Sequence, residues 1–135
     1  MYCKYPGIIK VEYFDLDSLD SERPDLDALS GSFPRMPEKT FEIQIIGSGE
    51  CEVLASNGAE TCTLTFSSDE RIRPDFRPGF IFTDANHDVY MMASASKPFP
   101  SIEIARTFGK MPGERPKYNY TIKHYSLMAA IPVIS

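Results

Sequence analysis

Three arginines beside aromatic rings are the most chemically suggestive group in the sequence. Arg71, Arg73 and Arg77 are interleaved with Phe76 and Phe80. A guanidinium fork clamps a carboxylate or phosphate, and a ring beside it offers a face for a planar ligand. Arg106, Lys110, Arg115 and Lys117 join them if the loops gather at one end of the fold. The same residues also suit plain loop chemistry. Four Arg-Pro pairs, at residues 23, 73, 77 and 115, stand ahead of apolar anchors without a repeat period.

Carboxylates supply two further clusters. Asp84, Asn86 and Asp88, with His87 between them, match the opening of a calcium-loop motif. The match stops there, because Val89 takes the place of the bend glycine and Ala95 that of the closing glutamate. A polar-ligand loop or an ordinary tight turn fits better, and no metal or other cofactor is expected. The second cluster, Asp15, Asp17, Asp20, Asp25 and Asp27, lies in a connection of about 25 residues spanning 15–39. Loops beyond about 12–15 residues are uncommon in compact domains and often functional, so this acidic stretch is a candidate surface for a basic partner.

Nucleophilic chemistry finds little support. There are two histidines, His87 and His124, and no G-x-S-x-G elbow. Gly47-Ser48-Gly49 begins like a phosphate loop, but Glu52 replaces its last glycine and strands flank it. Asn119-Tyr120-Thr121 fits a glycosylation sequon, though inside an expected strand. Tryptophan, the commonest sugar platform, is absent.

The elements that hold these residues read as strands. Ile9, Val11 and Tyr13 alternate with Lys10 and Glu12, predicting a strand over 7–14, and Phe41, Ile43 and Ile45 predict another near 40–46. CEVLASNGAETC holds the clearest local signal, an Asn57-Gly58 hairpin pairing Ser56 with Ala59 and Val53 with Cys62. That register puts Cys51, Val53, Cys62, Leu64 and Phe66 on one face and Glu52, Thr61, Thr63 and Thr65 on the other. Such an apolar face serves a subunit interface as readily as a core, so a homo-oligomer is open. Phe80–Phe82 and Val89–Met92 form a second hairpin, apolar on both faces. Ile102–Phe108, Tyr118–Tyr125 and Leu127–Ile134 complete about nine short strands. The expected fold is all-β: a two-layer sandwich or closed antiparallel barrel with one long acidic loop.

Cys51 and Cys62 are diagonal in this register, which places their side chains roughly 7–8 Å apart and argues against a disulfide. Three cysteines, with Cys3, then read as buried thiols in a reducing, cytoplasmic setting.

Composition sets the outer bounds. The chain has 135 residues, enough for one domain with its own core, and 42% are hydrophobic. Its longest nearly apolar run, Leu127–Ile134, contains Pro132 and is too short to span a membrane. Residues 1–70 carry a net charge of −9 and residues 71–135 one of +4, giving −5. A uniformly basic nucleic-acid binder is excluded. The leading expectation is a non-catalytic module binding a polar or anionic small ligand, nucleotide-like or glycan, through Arg71, Arg73, Arg77, the 84–88 tip, Arg106, Arg115 and Lys117. Capture of a protein partner by the acidic 15–27 loop is the alternative. A third is a small hydrolase or lyase whose residues converge from separate loops.

Overall fold

Fourteen consecutive extended residues, Tyr2–Asp15, make strand β1, on which the rest of the fold is assembled. In the computed structural model, residues 2–19, 21–95, 97–107 and 116–134 are described. One short helix, α1 (Pro24–Leu29), follows β1, and eight more strands follow the helix. They are β2 (Phe41–Ile43), β3 (Gly49–Ser56), β4 (Ala59–Ser68), β5 (Pro78–Asp84), β6 (Val89–Met92), β7 (Ser101–Thr107), β8 (Lys117–Ser126) and β9 (Ile131–Pro132). The protein is all-β, in one antiparallel sheet of order β7-β8-β4-β3-β1-β5-β6-β9, with β2 also on β1.

β1 serves two sets of partners. Its first half pairs with β3, while its second half pairs with β5 and, over Val11–Tyr13, with β2. The register slips between Tyr5 and Ile8 against β3, and again between Ile8 and Lys10 against β5. Such irregularities bend a strand and increase its local twist. The second expected strand also divides. Ile43 pairs with Val11, but Ile45 bridges to Ser68 of β4, so this segment passes from one neighbour to another.

The Asn57-Gly58 turn forms as the residue types require. Both lie in the left-handed region (φ 53° and 80°), and the strands pair Ser56 with Ala59 and Val53 with Cys62. A cluster of buried side chains then collects on one face, including Val11, Val53, Leu64, Phe66, Phe80, Phe82 and Ile122. Phe66 stacks on Tyr120 at 4.7 Å. Ile81, Met91 and Ile131 point to the opposite face, where Phe14, Leu16 and Ala28 cover them. That division explains why the β5–β6 hairpin is apolar on both sides. Gly79 is required at this seam, because a Cβ there would lie 2.6 Å from Phe14 Cζ and 2.7 Å from Leu16 Cδ2.

The 15–39 connection is therefore a cover as well as an excursion. Asp15 caps a single 3-10 turn over Leu16–Ser18, accepting from the Asp17 amide. Pro24 opens α1 without needing an amide partner. Backbone bonds tie the segment down at Leu16 N to Arg77 O, Ala95 N to Glu22 O and Ile134 N to Pro34 O.

The expected last strand is shorter than its apolar run suggested. Ile131–Pro132 pairs with β6, and beyond it Ile134 makes an isolated bridge to Arg35. Upstream, the Leu127 amide donates to the Asp25 carboxylate at 3.3 Å and the Ala129 amide to Glu60 at 3.0 Å. Carboxylates from distant elements have taken the amides that a ladder needed.

Candidate functional site

Arg71, Arg73 and Arg77 lie on the connection from β4 to β5, and all three are exposed. Ile72 anchors it between them: buried, with its amide donating to Tyr120 Oη at 3.1 Å. The same hydroxyl donates to the Glu70 carbonyl, fixing the connection on both sides of Arg71. Arg77 already has an aromatic partner, its guanidinium standing 4.4 Å from the centre of the Phe99 ring.

Strand register decides which basic residues join this loop. Tyr118 is opposite both Ser68 and Arg106, and Lys117 is opposite Thr107. Arg106 and Lys117 therefore share the end of the sheet from which the 69–77 connection departs. Arg115, Lys110 and Asp20 lie outside the described residues. The 84–88 tip does not join them. β5 starts beside Arg77 and ends at Asp84, so its seven residues put the tip roughly 20 Å further along the strand.

At that tip, Asp84 is almost fully buried. Its Oδ1 accepts the amides of Asn86 at 2.9 Å and Asp88 at 3.0 Å, while its carbonyl accepts that of His87. His87 takes a left-handed φ of 66°, leaving Asn86, His87 and Asp88 exposed. The carboxylate that resembled a calcium ligand is thus occupied in closing its own turn. Among the described residues, no group of three or more His, Cys, Asp or Glu converges to hold a metal.

The acidic segment separates into structural and open members. Asp25 is 1% exposed and receives Arg23 at 2.9 Å, Ser126 Oγ at 2.6 Å and the Leu127 amide. Burial pushes its pKa upward, but hydrogen bonds from Arg23, Ser126 and Leu26, with the charge of Arg23, outweigh burial and hold it far below the usual range. Asp25 therefore faces inward. Ser126 donates straight to this carboxylate with no imidazole between them, so the pair is a structural tie and no serine relay. Asp17 and Asp27 remain exposed.

His124 is also buried, with Nδ1 3.4 Å from the Ala129 carbonyl. Among the described residues its Nε2 has no hydrogen-bond partner. Burial lowers its pKa, opposed by the carbonyls of Ala129 and Pro98 and the charge of Asp25. Beside it in the ladder is Cys62. Cys62 Sγ lies 3.2 Å from Cys51 Sγ, and both thiols are free and buried. The register is the expected one, but the expected separation of roughly 7–8 Å is overturned for the sulfurs. Sheet twist draws one diagonal together, and the thiols close the remaining gap.

A cleft of about 950 Å³ lies between the 15–39 excursion and residues 75–76. Asp15, Asp27, Glu38 and Asp75 line it together with Arg35 and Lys39, four acids against two bases. Its apolar lining includes Phe33, Met36, Phe41 and Phe76. Phe41 and Phe76 pack with Tyr13, whose ring is 5.2 Å from the first and 6.1 Å from the second. Lys39 Nζ stands 5.3 Å from the centre of the Phe41 ring. Two acids of the sequence-derived patch, Asp15 and Asp27, reach this cleft, and Phe41 enters it from an expected strand, whereas Phe33 and Met36 stood in no expected element. The trace they left is FPRMPEK, apolar residues set among prolines inside an otherwise polar connection. Among the described residues, no helix is long and apolar enough to cross a membrane. Comparison with protein families, curated proteins and solved structures returned no match.

Proposed function

We propose that the protein is a non-catalytic recognition module that captures a basic segment of a partner protein in the 15–39 cleft. The observation that carries this reading is the cleft itself, whose lining brings four carboxylates and two bases together with Phe33, Phe41 and Phe76. Lysine and arginine side chains have an apolar stem and a charged head, which suit a lining of rings and carboxylates. The cation seated over Phe41 is an internal example of the same contact, supplied by Lys39. We read the sheet that supports the cleft as folded over into two layers, since one buried cluster draws on β1, β3, β4, β5 and β8.

Fluorescence anisotropy with a labelled ten-residue peptide of alternating Lys and Leu tests the reading. Binding should weaken with salt, and the double variant Asp27→Asn, Asp75→Asn should lose roughly tenfold in affinity. Phe76→Ala should weaken binding without changing the salt dependence. Equal binding of a Glu-Leu peptide, or full affinity in the double variant, removes the proposal.

A second reading rests on Arg71, Arg73, Arg106 and Lys117, exposed at one end of the sheet. There the ligand is a polar or anionic small molecule, as the charge of the second half of the chain favours. A phosphorylated nucleotide should then raise the melting temperature, and Arg73→Ala should abolish that rise while leaving the unliganded value nearly unchanged.

A further inference from the structure

We propose that Cys51 and Cys62 are a modification site, an intramolecular disulfide that staples β3 to β4 when the protein is equilibrated with a small-molecule disulfide. The two sulfurs lie 3.2 Å apart, and each thiol is fully buried. A disulfide bond is about 2.05 Å long, so closing it moves the sulfurs by about 1.2 Å in all. The strands that carry them are paired on both sides, β3 with β1 and β4, and β4 with β3 and β8, so approach is already enforced. The hydrogen bond that the two thiols share is replaced by the covalent bond.

The reaction is thiol–disulfide exchange with a reagent such as oxidised glutathione. One cysteine thiolate attacks a reagent sulfur and expels the first glutathione thiolate, which takes up the proton. The second cysteine then attacks the mixed disulfide, the intramolecular bond forms, and the second glutathione leaves as a thiol. Two protein thiols are oxidised and one reagent disulfide is reduced. The Cys51 hydrogen bond, then burial, keeps the Cys62 thiol protonated, so exchange in the folded protein waits on local opening of the hairpin. The bond is accordingly slow to form and durable once made.

The test uses the full chain carrying Cys3→Ser, which removes the third thiol from the chemistry. The protein is unfolded reduced and refolded in oxidised glutathione, quenched with acid, alkylated in denaturant and cleaved after Glu52 and Glu60. Fragments joined through Cys51 and Cys62, with a melting temperature raised by roughly 5–10 °C over the reduced form, are the expected result. A second sample oxidised without unfolding should reach the same product more slowly. Free thiols at both positions after refolding overturn the proposal. So does glutathione retained on one cysteine, which shows that the second sulfur cannot reach it, or a bonded form that melts below the reduced one.

Discussion

The β4–β8 pairing and the 15–39 excursion hold their shape by different physics. β4 and β8 share nine paired positions from Glu60–Ser126 to Ser68–Tyr118, and Leu64, Phe66, Tyr120 and Ile122 bury one face of them. Stabilisation there is spread over many ladder bonds and much apolar area. Among the described residues the excursion has one bridge, Arg35 to Ile134, and is otherwise held by directed bonds around Leu16, Glu22, Asp25 and Pro34 and by the burial of Leu16 and Ala28. A ladder leaves no concavity, because neighbouring strands are only about 4.8 Å apart. The cleft opens where the backbone has left the ladder and is fastened at points, so stability and recognition reside in separable parts.

The largest expected effect lies in the sheet. Phe82 is fully buried, with Tyr90 at 5.4 Å and Tyr5 at 5.8 Å, so Phe82→Ala should cost about 4 kcal/mol of global stability. Urea denaturation reads this directly, and a loss below about 1 kcal/mol would mean that this face is not the main core. Next is the seam between the two regions. Gly79→Ala forces a methyl against the Phe14 ring and the end of Leu16, with an expected cost of roughly 1–3 kcal/mol. Leu16 is the more yielding neighbour, so Gly79→Ala combined with Leu16→Ala should cost less than the sum of the single changes, because the second change removes part of the clash.

An effect of similar size separates the regions more sharply. Asp25→Ala leaves the Ser126 hydroxyl and the Leu127 amide without their acceptor, at about 2 kcal/mol. Arg23 adds little to that cost, because its guanidinium is partly exposed and returns to water. Hydrogen exchange should accelerate around residues 22–30 and 127–130 while β3, β4 and β8 keep their protection. Acceleration spread evenly over the sheet would show that the two parts unfold as one.

The same division decides what was legible from residue order. Asn57-Gly58 fixes its hairpin through two backbone conformations, and alternation along β4 and β8 assigns their faces, so both follow from local chemistry. Phe80-Ile81-Phe82 announced two covered faces, and the structure supplies two clusters. Asp25 resembled its acidic neighbours because nothing nearby distinguishes it. Its partner Ser126 is 101 residues away. Leu127–Ala130 was apolar enough for a strand, and only distant Asp25 and Glu60 divert its amides. The sulfur separation at Cys51 and Cys62 depends on twist, which a flat register omits. The cleft combines residues from 15 to 76, a convergence that periodicity cannot express.

The smallest predicted effect is a pH dependence with two windows, each tied to one buried group at the junction of sheet and excursion. Burial lowers the pKa of His124, so just below its unfolded value of 6.5 the unfolded chain binds more protons than the folded one. Stability contributed by neutral His124 is therefore complete above that value and is lost as the pH falls through the folded pKa. Asp25 behaves with the same sign in a lower window, since its folded pKa is also depressed. Its contribution is present above the unfolded carboxyl value of 3.8 and is lost on further acidification. Melting temperatures recorded from about pH 7.5 to about pH 5.5 should fall for the parent protein. They should fall less for His124→Gln, which keeps a buried polar side chain but has no proton to gain. A slope unchanged in His124→Gln would transfer the effect to another group. A slope that flattens while Asp25→Ala still melts cooperatively would assign the upper window to the sheet and the lower one to the excursion's fastening.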